Sequence, residues 1–386
     1  MATLTNPPAE RKPFVELCGR SNFSFLQGAS HPDEMVEEAL RLGYDGFFLS
    51  DLNGLYGVAR GYQAAKSPSL FVASPQGRPH FQYGLGVELT VQKTAEHVIN
   101  LTLIPMDKMG YILLCRLLTL GKRQAQKGFS RITLKQVLEH CKHQLVFCDP
   151  EDYLELAPEC EDRLYIPVWR DLTWDSTERT RKALHLERDH GAALFVTQKP
   201  LYHAPERKIL FDVLTCIQHH TTLKLAKNIL PQNAERFLRP VSQIYLLWKD
   251  RPDLVAVTEK IAARVHFSLS EIRYRYPNAS LPQNLTSKDY LRKLTEEGLQ
   301  WRFPEGAPDK IKQQAWHELE IIQDLQYEDY FLTLYEICLF AREKNILHQG
   351  RGSAANSVVC FALGLTSVDP TQIDLLFERK FTFFQI

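Results

Sequence analysis

The run Gln349-Gly350-Arg351-Gly352-Ser353-Ala354-Ala355-Asn356-Ser357 is a turn of small residues leading into an apolar helix predicted over 358–363. Small residues leave backbone N–H groups open, a helix N-terminus adds partial positive charge, and Arg351 adds a full one. Such a turn suits a triphosphate. A plain helix cap built on Ser or Asn accounts for the same residues. Other chemistry-bearing residues are scattered. His140-Cys141-Lys142-His143 has metal-ligand spacing on a helix and His219-His220 is an adjacent pair, but surface or capping histidines explain both more simply. Cys18, two residues from Arg20, reads either as a reactive thiol or as a buried structural cysteine. The stretch 121–138 holds Lys122, Arg123, Lys127, Arg131 and Lys135 with no acidic residue. It reads as a phosphate-contacting patch or as a solvated loop entering a helix, the second being the simpler account.

The elements that must carry these residues begin with a β-α-β rhythm. A strand is predicted over 14–17, and Ser30 is the expected N-cap of a helix with Pro32, Asp33 and Glu34 in its first turn. Met35, Val36, Ala39 and Leu40 form its apolar face and Gly43 its stop. Strands over 46–49 and 82–91 flank a helix over 55–65, and 67–80 reads as a Pro/Gly loop. The rhythm predicts a parallel α/β domain with functional residues at the C-terminal strand ends. From 205 to 275 the pattern is mostly helical. Tyr276-Pro277-Asn278 and Leu281-Pro282 mark a boundary, after which helices are predicted over 288–301, 308–325 and 331–344. The domains drawn from this are a tail over 1–13, an α/β domain over 14–205, a helical connector over 206–276 and a last domain over 277–386.

Composition sets the outer limits. The chain has 386 residues, 44% hydrophobic and 24% charged, with a formal net charge of +0. That is ordinary globular composition with enough apolar content for a core, and any basic surface must be local. The eight cysteines are dispersed without a CxxC pair, as in a reducing compartment. No apolar run reaches the roughly 20 residues that span a bilayer, and the N-terminus lacks a signal-peptide pattern, so a cytoplasmic protein without a membrane partner is expected.

Tyr330-Phe331-Leu332-Thr333, Phe340-Ala341-Arg342, the 349–357 turn, Val368-Asp369-Pro370 and Leu375-Leu376-Phe377-Glu378-Arg379 together resemble the start of the palm of C-family bacterial DNA polymerases, the alpha subunits of polymerase III. The Ala-Ala-Asn-Ser form resembles the error-prone, damage-induced branch. Ser21-Asn22-Phe23-Ser24-Phe25-Leu26, Gly28-Ala29-Ser30-His31-Pro32 and Leu55-Tyr56-Gly57-Val58 resemble the family's N-terminal PHP (polymerase and histidinol phosphatase) domain. Asp212-Val213-Leu214-Thr215-Cys216-Ile217 and Arg273-Tyr274-Arg275-Tyr276-Pro277 resemble the stretch joining it to the palm. The resemblance implies a PHP-type distorted parallel β/α barrel followed by a partial α+β palm. It implies phosphate-binding roles for Arg351, Gly352, Ser353 and Arg379, with DNA and a nucleoside triphosphate as partners. The remaining C-terminal polymerase part and other mutagenesis proteins are further expected partners.

Two departures shape the expected function. The family's catalytic Asp-x-Asp follows its Phe-Glu-Arg motif, whereas here Arg379 is followed by Lys380-Phe381-Thr382-Phe383-Phe384-Gln385-Ile386. Asp369 and Asp374 do not make that pair, and two-metal polymerisation requires clustered carboxylates. A truncated, frameshifted or split polymerase, inactive alone, is the expectation, with Mg²⁺ belonging only to a complete enzyme and no cofactor bound here. In the PHP site, Cys18 and Arg20 stand for a His-x-His, Gln27 for an Asp, Leu52 and Asn100 for His, and Lys199 and Leu201 for a late Asp and His. Only Glu88 matches. One carboxylate with Arg20 and Lys199 near it cannot hold a polynuclear metal site, and pairing of Glu88 with either cation is expected instead. The resulting expectation is the N-terminal part of an error-prone DNA polymerase for translesion synthesis and repair. The alternatives are a noncatalytic PHP-type scaffold and, at greater distance, a metal-dependent phosphoesterase.

Overall fold

The structure is a computed structural model describing residues 12–67, 81–94, 96–272, 281–282, 284–351 and 356–369. The predicted loop over 67–80, the break at 276–282, Gly352, Ser353 and Arg379 fall wholly or mostly outside those residues. The chain divides into two compact units, Met1–Ile272 and Arg273–Ile386.

Unit 1 is a mixed α/β unit around one sheet that curls into a half-barrel. Its strands are β1 (Val15–Gly19), β2 (Gly46–Leu52), β3 (Gln82–Gln92), β4 (Val98–Pro105), β5 (Ile132–Thr133), β6 (Gln144–Phe147), β7 (Leu164–Val168) and β8 (Ala193–Val196). They lie in the order β1-β2-β3-β4-β6-β7-β8, with β5 on β3. The helices are α1 (Pro32–Arg41), α2 (Val58–Lys66), α3 (Lys108–Arg123), α4 (Leu134–His140), α5 (Tyr153–Cys160), α6 (Trp174–His190), α7 (Lys208–Gln218), α8 (Val241–Leu247) and α9 (Pro252–Ala262). Strands β1, β2 and β3 are parallel, as are β6, β7 and β8. Strand β4 departs from the expected parallel order, running antiparallel to both β3 and β6. The cause is local: Lys93 and Thr94 N–H groups donate to His97 O at 2.9 and 3.2 Å, a tight reversal with no room for a crossover helix.

The core is built from the predicted strands over 14–17, 46–49 and 82–91 together with β4, for which the sequence predicts no strand. Phe14, Phe47, Val87, Leu89, Leu101 and Leu103 are fully buried, each side chain stabilising the fold by about 1.5–3 kcal/mol. Two details differ from the sequence reading. The N-cap of α1 is His31, one residue after Ser30, whose hydroxyl instead bonds His203 at 2.8 Å. Residues 206–272, read as a connector, lie in unit 1, and 219–240 is irregular rather than helical. Helix α9 packs on β1 and β8, and Thr258 Oγ1 accepts from Val15 N at 3.1 Å. The end strands β1 and β8 are bridged by a side chain. Buried Glu16 on β1 accepts from Thr197 Oγ1, from Gln198 N at 2.7 Å and from Cys18 N at 2.9 Å. Burial pushes its carboxyl pKa up, against these three bonds.

The described part of unit 2 is helical: α10 (Ser287–Arg302), α11 (Asp309–Asp324), α12 (Glu328–Glu343) and α13 (Val358–Ala362). The strands expected of a palm fall on none of its described residues. Leu291, Leu319, Ile322, Phe331 and Val359 form its core. Gly298 permits the close approach of α10 to α13, since a Cβ there would lie 2.2 Å from Ala362 O.

Candidate functional site

The C-terminal strand ends of unit 1 open into a cleft of about 800 Å³. Arg20 follows β1, Glu88 lies on β3 level with the last residue of β2, and Lys199 follows β8. These three meet: Arg20 Nη2 and Lys199 Nζ approach the same Glu88 oxygen, Oε2, at 2.7 and 2.8 Å. Lys199 is held for this contact in a left-handed backbone conformation, φ 43°, with its N–H on Thr197 Oγ1 at 2.8 Å. Asn100 and Leu201 also line the cleft. Cys18 is buried beside it. Gln27 and Leu52 do not line it; their N–H groups bond Ser24 O and Ser24 Oγ in the loop after β1. That loop is fixed by buried Asp51, which accepts from Ser21 N, Ser21 Oγ and Ser24 Oγ at 2.7–2.8 Å.

A second layer comes from residues that sequence reasoning missed. Arg236 Nε donates to Lys199 O at 2.7 Å and its guanidinium lies 4.0 Å from Asp171. Arg179 pairs with Asp149 and stacks 4.4 Å from the Trp169 ring centroid. Arg236 sits in the irregular 219–240 segment, which carries no periodic signal. Burial and the like charge of Arg20 bring the Arg236 pKa down to about 10, so it remains charged at neutral pH.

The electrostatics decide what the cleft can hold. Burial alone would raise the Glu88 pKa, but Arg20 and Lys199 reverse this and hold the carboxyl well below the usual range. The Cys18 thiol is pushed up to about 12, chiefly by burial, which keeps it protonated and unreactive. A divalent metal needs several lone-pair donors. Here the Glu88 carboxylate is engaged by two cations, and among the described residues no group of three or more His, Cys, Asp or Glu could hold a metal ion. These residues do not fit a metal centre. Nor do His140 and His143 converge: their Nδ1 atoms bond Gln136 O and Asp107 Oδ2.

In unit 2 the turn before α13 is described only in part. Gly350 N–H donates to Leu365 O at 2.7 Å, and Arg351 is exposed. The helix N-terminus beyond the turn is already occupied. Buried Glu318 on α11 accepts from Val358 N and Val359 N, each at 3.0 Å, and from Ser357 Oγ at 2.7 Å. At the other end, Arg302 donates to Phe361 O and Thr366 O, and Arg342 to Leu363 O and Gly364 O. Carboxylate at the N-terminus and guanidinium at the C-terminus match the helix dipole. The sequence does carry a signal for Glu318: it sits on the apolar stripe Ile311, Ala315, Leu319, Ile322.

Residues 17–156 match the model of the PHP domain, and residues 289–384 match that of the bacterial DNA polymerase III alpha NTPase domain. Two separate stretches of the chain are thus similar to these two domains. It is 58% identical over 377 residues to an error-prone DNA polymerase of Bdellovibrio bacteriovorus, covering 97% of this chain and 35% of that protein. An error-prone DNA polymerase of Rhodopirellula baltica is 36% identical over 386 residues, with 95% and 32% covered. The chain therefore spans about a third of the length of the curated relatives it matches. A solved structure from Bifidobacterium adolescentis, assigned as a metal-dependent phosphoesterase, aligns at 14% identity and TM-score 0.35 over 50% of this chain and 88% of that one. The PHP match ends within α5, whereas the sheet of unit 1 continues to β8 and brings Lys199 to the cleft. No helix of the described residues is long and apolar enough to cross a membrane.

Proposed function

We propose that the chain is the PHP domain and leading palm portion of an error-prone DNA polymerase acting in translesion synthesis and repair, and that its PHP domain is a noncatalytic scaffold. The observation that carries the scaffold reading is the double ion pair on Glu88 Oε2, which engages the one carboxylate left of the metal-ligand set. The polymerase reading is supported by the 58% identity over 97% of the chain. The 386 residues contain no Asp-x-Asp pair, so on this reading the chain does not polymerise DNA alone; Mg²⁺ and the carboxylates that bind it belong to a complete polymerase. The partners are DNA, a nucleoside triphosphate, the rest of the polymerase and other mutagenesis proteins. The location is cytoplasmic, in keeping with eight dispersed cysteines.

Arg351, Gly352, Ser353 and Arg379 are the phosphate-contacting residues of this reading. Because Glu318 takes the first α13 amides, the turn itself and Arg351 must supply the contacts, and affinity for a triphosphate is weak, on the order of millimolar or about 4 kcal/mol. The test is primer extension with Mg²⁺ or Mn²⁺, run beside a phosphomonoesterase assay on the same preparation. No nucleotide addition and no metal-dependent phosphate release are expected. Primer extension by this chain, or phosphate release abolished by Glu88→Gln, overturns the reading.

A further inference from the structure

Between Asp107 and Glu139 the chain holds Lys108, Arg116, Lys122, Arg123, Lys127, Arg131 and Lys135 and no acidic residue. At the chain average of 46 acidic residues in 386, about four would be expected there. The segment folds as α3, a loop, β5 and α4, all within unit 1. Arg116, Arg123, Lys127, Arg131 and Lys135 are exposed, and none of the seven cations forms an ion pair among the described residues. Basic residues elsewhere in unit 1 behave differently: Lys93 engages Asp152 and Glu155, and Lys182 engages Glu151.

Helix stability does not account for this charge. Lys122 and Arg123 lie in the last turn of α3, where cations favour the dipole. Lys127 and Arg131 lie in the loop. Lys135 lies in the first turn of α4, which has no acidic residue and where a cation is disfavoured. The loop is also ordered: Arg131 N–H donates to Gly121 O and Phe129 N–H to Gln126 O, both at 3.0 Å, and Arg131 Nε to Gln92 Oε1 at 3.1 Å. On this framework Phe129 is held out, 66% exposed. Tyr56, 63% exposed, lies beneath the Lys122 ammonium, 6.0 Å from its ring centroid.

We propose that this surface binds single-stranded nucleic acid, with Lys127, Arg131, Lys135 and their basic neighbours on the phosphates and Phe129 stacking on a base. Unpaired cations interleaved with exposed aromatic rings are the recognition chemistry of a flexible polyanion whose bases are unstacked. In a duplex the bases are already stacked, and an exposed ring adds nothing. The surface lies in unit 1 and rests on no part of the palm reading.

The test uses the full chain and a fluorescein-labelled oligodeoxythymidylate, followed by anisotropy across a salt series. Binding should weaken steeply with salt. The combined K127A, R131A and K135A variant should lower the log–log salt slope by about 2, since each phosphate neutralised on a single strand accounts for about 0.7 of the slope. Phe129→Ala should weaken binding about tenfold and leave the slope unchanged. All four positions are exposed or held by few side-chain contacts, and circular dichroism melting checks that each variant is folded. Unchanged affinity and slope in the folded triple variant overturns the proposal. Equal affinity for a duplex of the same length or for polyglutamate, with no effect of Phe129→Ala, overturns it too.

Discussion

Glu88→Gln removes the one negative charge between Arg20 and Lys199 and leaves two cations in a poorly solvated site. The side chains are only 12%, 10% and 17% exposed for Arg20, Glu88 and Lys199, so solvent screening is slight. Breaking a buried pair by removing one partner typically costs about 3–5 kcal/mol, because the remaining charge is stranded. The same principle gives an internal control. Replacing all three residues together, as Arg20→Met, Glu88→Leu and Lys199→Met, should be neutral or stabilising by about 1–4 kcal/mol. Hydrogen-exchange mass spectrometry on peptides from β1, β3 and β8 reads the opening of unit 1 without interference from unit 2. The pH dependence has a definite sign. The Glu88 pKa is depressed in the fold, so its stabilisation is fully present above the unfolded value near 4.5 and is lost as pH falls towards the folded value. The gap between the parent and Glu88→Gln should therefore narrow below about pH 4.5. A Glu88→Gln cost under about 1 kcal/mol, or a gap that widens with acid, would refute the reasoning.

Further expectations concern the metal, the short helix and the turn. Elemental analysis of purified protein should find no stoichiometric zinc or manganese; a stoichiometric metal lost on Glu88→Ala would contradict the charge argument. Glu318→Ala should destabilise unit 2 by about 3 kcal/mol, since it leaves two amides and the Ser357 O–H without their acceptor, and should speed hydrogen exchange at Val358 and Val359. Fast exchange there in the parent protein would count against the cap. In an NMR titration with a nucleoside triphosphate, amides near Gly352 and Ser353 should shift weakly, and less after Arg351→Ala; no shift in a folded unit 2 would reduce the turn to a helix cap.

Most of the first half-barrel is legible from periodicity. The strand–helix alternation over 14–91 corresponds to β1, α1, β2, α2 and β3, because each strand is a short, mostly apolar run bounded by polar or Gly-containing turns. What periodicity lacks is direction. Nothing in 98–105 distinguishes an antiparallel β4 from a parallel strand; the tight Lys93–His97 reversal before it decides. The packing of α9 on β1 and β8 is likewise invisible locally, since Val15 and Thr258 stand 243 residues apart.

The sites divide along the same line. Arg20, Glu88 and Lys199 are distant in sequence and meet only because the segments just after β1 and β8 come together with a residue inside β3. Spacing could not group them, and only the resemblance to a known domain did. Arg236 had no such guide and comes from irregular chain. Glu318 is the opposite case. Its helical phase already placed a carboxylate on an apolar face, and a charge buried there must find donors. The donors it finds are the first amides of α13, a helix only five residues long that could not hold itself together in isolation. The carboxylate that stabilises this helix also removes its N-terminus as a ready phosphate site. On the proposed reading, phosphate affinity in this part of the chain therefore rests on the 350–353 turn and Arg379, and not on the amides of the helix that the turn precedes.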